Sequence, residues 1–280
     1  MKVACVQMCS GLERAVNVQS ASQMIREAAA AGASIILTPE MTNIVDRKPK
    51  RLFSALPAEQ GLEEISTFAD LAEELGIWLA IGSMAFTLSG DADNQRAANR
   101  AYLFSPAGRI VNIYDKIHMF DVDLPDGESW KESSIYTAGE TAAVIETPLA
   151  KIGQTICYDL RFPALYRKLA QAGAEILLIP AAFTYQTGKA HWESLLRARA
   201  IETGSYVMAA AQGGEHEDGR STWGHSMIID PWGKVIAVKA DTSPGVIVAD
   251  IDPAKVSQVR QQIPNLALEK SLHINNIQAS

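Results

Sequence analysis

One segment of the chain is written twice. Ala31-Gly-Ala-Ser-Ile-Ile-Leu-Thr-Pro39 and Ala172-Gly-Ala-Glu-Ile-Leu-Leu-Ile-Pro180 align residue for residue at a constant offset. In each, a helical stretch ends at a glycine, a short apolar run follows, and a proline closes it. The runs lack polar alternation, the pattern of a strand covered on both faces. Two such units, one in each half, predict two sheets packed face to face with helices as outer layers, an α/β four-layer αββα sandwich.

The rest of the chain fits this layering. Strands are expected at Val3 to Met8, Ser34 to Leu37, Ile77 to Ile81 and Ile176 to Ile179. Helices are expected over Glu13 to Ala31, over Ala58 to Leu75 with Gly76 as its C-cap, over Ala164 to Ala172 and over Ala190 to Thr203. Pro106-Ala-Gly108 and Pro231-Trp-Gly233 each separate two apolar runs and read as hairpin turns. No linker rich in Pro, Ser and Gly divides the chain, so one domain is expected over residues 1–262, with 263–280 as a C-terminal tail.

Charge and cysteine usage narrow the function classes. The formal charge of −7 over 280 residues offers no basic stripe for nucleic acid. Nothing approaches a membrane-spanning apolar run, and Met1 to Met8 reads as a strand, not a signal peptide, so a cytoplasmic protein is expected. Three cysteines give no paired framework and suit a reducing compartment. Cys5 and Cys9 lie four apart, but zinc needs further paired donors and the five histidines are scattered, so no metal is expected.

Three reactive side chains each stand where an apolar run gives way to a loop: Glu40 after Ile35-Ile-Leu-Thr-Pro39, Lys116 after Asn112-Ile-Tyr-Asp115, and Cys157 after Lys151-Ile-Gly-Gln-Thr-Ile156. In open α/β sheets the carboxyl edge is where sites form, so carboxylate, ammonium and thiol can converge there. Cys157 lies between a strand and a helix, a turn that can present a nucleophile beside backbone N–H groups. Taken singly, Cys157 reads first as an inert core thiol, and Glu40 and Lys116 as solvated loop charges; their company shifts the reading.

Together these segments resemble the nitrilase superfamily of carbon–nitrogen hydrolases. Among its members the Nit-type amidases are the nearest in pattern, through Asp115 to Gly127, Thr187 to Glu193, Leu196 to Glu202 and Trp223 to Gly233. The resemblance implies a cysteine nucleophile at Cys157, a general base at Glu40, an oxyanion-stabilising Lys116 assisted by the N–H of Tyr158, and a second glutamate. Glu132 best fits that last role, with Glu128 and Glu140 as rivals. It further implies Arg161 as a carboxylate anchor, with Phe183 and Thr187 lining the pocket, although an ion pair with Asp159 is an alternative for Arg161. The implied substrate is a small-molecule amide, the deaminated form of glutathione, with 2-oxoglutaramate and N-carbamoyl amino acids as alternatives. No organic cofactor is implied, and a homodimer or higher homo-oligomer is. A non-catalytic binding protein on the same fold is the remote alternative.

Overall fold

The computed structural model describes residues 1–59, 62–88, 95–123, 127 and 129–278. In chain order its elements are β1 (Lys2–Gln7), α1 (Arg14–Ala30), β2 (Ala33–Leu37), α2 (Pro49–Ala55), α3 (Glu63–Leu75), β3 (Trp78–Leu88), β4 (Arg96–Phe104) and β5 (Ile110–Asp115). There follow β6 (Asp121–Asp123), β7 (Ser129–Lys131), β8 (Val144–Glu146), β9 (Lys151–Gln154), α4 (Pro163–Gln171), β10 (Ile176–Leu178) and α5 (Tyr185–Thr203). The chain continues through β11 (Tyr206–Ala209), β12 (Gly213–Glu215), β13 (Ser221–Trp223), β14 (Met227–Ile229), β15 (Val235–Val238), β16 (Gly245–Asp250) and α6 (Ala254–Gln262).

Two six-stranded sheets form, ordered β16-β1-β2-β3-β4-β5 and β15-β14-β11-β10-β9-β8. The duplicated segments become β2 and β10, each between parallel neighbours inside its own sheet. Strand periodicity then sorts their side chains into layers. Val3 and Cys5, Ile35 and Leu37, Ile176 and Leu178, and Tyr206 and Met208 meet in the core between the sheets. The alternate residues Ala4, Val6 and Ile36 face outward against Met24, Ile25 and Ala28 of α1 and Phe68 and Leu71 of α3. Leu177 and Val207 do the same against Tyr166 and Leu169 of α4 and Trp192 and Leu196 of α5. Burying a large aliphatic side chain is worth about 1.5–3 kcal/mol, so three such layers hold the αββα sandwich together.

Several boundaries differ from the expectation. The helix expected from Ala58 starts at Glu63, because Ala58 pairs as a β-bridge with Thr87. The strand expected to stop at Ile81 runs on to Leu88, with an irregularity at Gly82. That glycine is required by close approach: a Cβ there would lie 2.1 Å from the Thr38 carbonyl oxygen and 2.4 Å from Pro180 Cβ, where the two duplicated segments end. The helix expected from Ala190 begins at Tyr185, where the Thr184 hydroxyl accepts from Thr187 N. Nor does each half keep to its own sheet. β16, from the C-terminal half, pairs antiparallel with β1 and completes the N-terminal sheet. Beyond α6 the chain lies against α5 through Asn265 Nδ2, which donates to Glu202 O at 2.6 Å.

Candidate active site

Glu40, Lys116 and Cys157 meet at one end of the two sheets. Glu40 follows β2, Lys116 follows β5, and Cys157 opens a single 3₁₀ turn, Cys157–Arg161, after β9. All three are buried, with 3 %, 2 % and 7 % of their surface exposed. Cys157 takes the left-handed backbone conformation, φ 51°, and its N–H donates to Pro180 O at 2.8 Å. A cysteine at positive φ is strained, and the strain turns the chain sharply so that sulfur faces the other two groups. Asp159 holds the turn. Its carboxylate accepts from Ile156 N (2.9 Å), Tyr114 Oη (2.7 Å) and His118 N (3.0 Å), and contacts His118 Nδ1 at 2.7 Å. The nucleophile turn is thereby tied to the segment that carries Lys116.

The charges are arranged around the ammonium. Lys116 Nζ donates to Glu40 Oε1 (2.8 Å) and to both oxygens of Glu132 (2.9 and 2.8 Å). Glu132 stands in a 3₁₀ turn after β7 and also accepts from Phe120 N at 2.6 Å. Asn99 Nδ2 bridges the two carboxylates, at 2.9 Å from Glu40 and 3.2 Å from Glu132. Glu40 Oε2 accepts from Ala182 N at 2.9 Å. Of the rivals to Glu132, Glu140 is exposed and borders a different groove with His118 and Phe162, and Glu128 lies outside the described residues.

These contacts set the protonation states. Burial alone would raise the Glu40 carboxyl, but the Lys116 ammonium and hydrogen bonds from Cys157, Lys116 and Asn99 hold it below its ordinary value. Burial would lower Lys116, but Glu132 and Glu40 keep it well above its ordinary value. Burial pushes the Cys157 thiol well up, and the Glu40 carboxylate pushes it further while Lys116 partly offsets both. The resting site is therefore thiol, carboxylate and ammonium. It suits proton transfer from sulfur to Glu40 during attack on an electrophile, with Lys116 beside the charge that develops.

A cavity of about 730 Å³ opens from this cluster, within the usual size of a small-molecule site. Arg161, Tyr158, Phe183 and Thr187 all line it. Arg161 does not pair with Asp159, whose oxygens are taken by the contacts above. Its Nη1 lies 3.2 Å from His191 Nδ1, and its guanidinium carbon stands 5.3 Å from the Phe183 ring centre. The Thr187 hydroxyl is engaged by Thr184 Oγ1 at 2.9 Å. Further along the chain Trp192 and Leu196 are core, Arg197 pairs with Glu193 and Arg199 with Glu202, and His225 stacks on Trp223 away from the cluster.

Sequence reasoning missed Asn99 and the bracing role of Asp159. The first left a weak signal, an amide after two alanines in β4, and the sequence offers Asp159 only as a partner for Arg161.

Known proteins share this architecture. The carbon–nitrogen hydrolase family profile matches residues 2–261. The chain is 41 % identical over 264 residues to the mouse deaminated glutathione amidase, covering 94 % of this chain and 81 % of that one. It is 39 % identical over 265 residues to a protein of the same name from Synechocystis, covering 94 % and 96 %. The crystal structure of the C. elegans NitFhit protein superposes with a TM-score of 0.87 at 33 % identity, covering 100 % of this chain and 68 % of that one. The fold, the extent of the match and these relatives lead to one statement: the chain belongs to the carbon–nitrogen hydrolase family.

Proposed function

We propose that the protein is an amidase that hydrolyses deaminated glutathione to 2-oxoglutarate and cysteinylglycine. The observation that carries this reading is the convergence of Cys157, Glu40 and Lys116 at the buried end of a cavity walled by Arg161, in a chain similar over most of its length to amidases of that name. Cys157 Sγ attacks the amide carbonyl carbon while Glu40 takes the thiol proton. Lys116 Nζ and the Tyr158 N–H stabilise the oxyanion. Glu40 passes its proton to the leaving nitrogen, the C–N bond breaks, and a thioester remains on sulfur. Water then attacks with its proton going to Glu40, and collapse of the second tetrahedral intermediate breaks the C–S bond and returns the proton to sulfur. Glu132 and Asn99 hold Lys116 and Glu40 in register throughout.

The deciding experiment is a panel of deaminated glutathione, 2-oxoglutaramate, N-carbamoyl amino acids and simple nitriles, with Cys157→Ala as the blank. Highest kcat/KM on deaminated glutathione is the expected result. A clear preference for any other member would replace this substrate with that one.

Arg161 recognises the carboxylate next to the 2-oxo group through its planar fork. Arg161→Lys keeps the charge and loses the fork. Losing one partner of such a pair costs about 2 kcal/mol or more, so kcat/KM on the 2-oxo acid amides is expected to fall by about thirtyfold relative to a neutral short-chain amide. An unchanged ratio would remove Arg161 from substrate recognition.

The protonation states give a pH signature. Glu40, depressed below 4.5, stays ionised until the pH falls through that lowered value, and Lys116, raised above 10.5, stays charged until the pH climbs through its raised value. Their mutual stabilisation is lost in the same two directions. Since the Cys157 thiol is also raised, kcat/KM is expected to be flat from about pH 6 to 9. A limb near the ordinary thiol value would show instead that a preformed thiolate is the reactant.

The protein works as a homodimer in the cytoplasm. Support for the first comes from Ile201 on α5 and Trp232 in the β14–β15 turn, both about half exposed, with Ile201 against Gly233. Support for the second comes from three free thiols, which suit a reducing compartment. Sedimentation as a monomer at micromolar concentration would refute the pairing.

A further inference from the structure

Five side chains of the cavity wall form a row that the chemistry at Cys157 does not use in full. Arg161 lies over Tyr158, its guanidinium carbon 6.0 Å from the ring centre. Tyr158 meets Phe120 edge to face at 5.1 Å, and Phe120 meets Trp130 at 6.2 Å. At the far end the guanidinium carbon of Arg220 stands 4.8 Å over the Trp130 ring. All five line the same cavity. The result is an aromatic strip with a cation at each end.

Arg220 is fixed in place. It stands in the turn between β12 and β13, where its backbone N donates to Asp218 Oδ1 (3.0 Å) and its Nε to Asp218 Oδ2 (2.7 Å). The Asp218 side chain is fully buried, and Arg47 N also donates to it at 2.8 Å. Asp218 occupies one edge of the guanidinium, and among the described residues no hydrogen bond engages its Nη1 and Nη2 groups. A planar fork clamped on one side and stacked on an indole is preorganised for a carboxylate. The surroundings favour an anion as well. Among the described residues seven basic and three acidic side chains line the cavity, although the whole chain carries −7. All five side chains of the row are half-buried; they stand between the enclosed catalytic cluster and Arg47, Lys48 and Lys50, which line the same cavity and are exposed.

We infer that Arg220, held by Asp218 and Trp130, binds a second carboxylate at the end of the strip opposite Arg161, that of the leaving group, so that the site selects amides anionic at both ends. The inference rests on the amidase reading and adds to it the recognition of the leaving side. In deaminated glutathione that carboxylate belongs to the glycyl residue. Two residues beyond the scissile nitrogen reach at most roughly 7 Å, which carries it outward from Cys157 along the aromatic strip.

The test compares deaminated glutathione with the same molecule ending in glycinamide, which removes one negative charge and exchanges one acceptor oxygen for an NH2 donor at nearly the same shape. The parent enzyme is expected to prefer the acid, chiefly through KM. Arg220→Met is expected to lower the acid-to-amide ratio of kcat/KM by about ten- to hundredfold, the span for one hydrogen bond to a charged group. Arg220→Lys is expected to restore part of that ratio, which a merely structural arginine would not do. Because a ratio within one variant is read, a general loss of folded protein cancels. A parent preference that survives Arg220→Met unchanged overturns the assignment of Arg220 while the amidase reading stands. A parent that turns over neither molecule but hydrolyses another amide of the panel overturns the substrate reading, and this assignment with it.

Discussion

Cys157→Ala is expected to abolish amide hydrolysis while the protein keeps its fold. The substitution removes one sulfur from a buried site and no backbone contact, since the hydrogen bond from residue 157 to Pro180 O is made by the main chain. Alanine tolerates the left-handed φ of 51° no worse than cysteine does. The loss of stability should be on the order of 1 kcal/mol, the usual size for a small buried truncation. Circular dichroism and thermal unfolding would read the fold, and progress curves the activity. In the parent, rapid quench and mass spectrometry should find the acyl group on Cys157 and on neither Cys5 nor Cys9. Cys5 is fully enclosed between the sheets, where burial pushes its thiol far up, and burial together with Glu217 raises that of Cys9. Normal folding with turnover near the parent rate would end the covalent mechanism.

The layers were legible because they are made by local patterns. Ile35-Ile-Leu37 and Ile176-Leu-Leu178 lack polar alternation, and a strand without it must be covered on both sides. Glu40, Lys116 and Cys157 were legible more simply, as reactive groups placed where a strand gives way to a loop. What stayed hidden depends on distant partners. Asn99 bridges Glu40 and Glu132 at separations of 59 and 33 residues, and no local pattern announces which acids an amide will meet. β16 joins β1 from the opposite end of the chain, a pairing that neither strand's own residues specify. Glu132 was reached only by resemblance, its turn having no periodicity to read. The aromatic strip was hidden for the same reason: Phe120, Trp130, Tyr158 and Arg220 come from four segments, and none of these announces its neighbours.

The buried charges act on the thiol in opposite directions, and that gives the sharpest test of the site. Glu40 raises the Cys157 thiol and Lys116 lowers it. Glu40→Gln keeps the shape and removes both the proton carrier and the negative charge. Its kcat is expected to fall by about two to four orders of magnitude, the span for loss of a general base. The pH midpoint for alkylation of Cys157 by iodoacetamide should nevertheless move down. Lys116→Met removes the oxyanion donor, with an expected loss of about two to three orders in kcat. It also leaves Glu40 and Glu132 enclosed without their shared cation, which costs about 3–5 kcal/mol of stability, as breaking a buried pair does. Here the alkylation midpoint should move up. So should the acid limb of the residual activity, because the ammonium that kept the Glu40 carboxyl low is gone. The two variants are alike in lost turnover and unlike in thiol reactivity. Midpoints that shift in the same direction would mean that Glu40 and Lys116 do not bracket the sulfur electrostatically, and that the division of labour between base and oxyanion donor must be assigned anew.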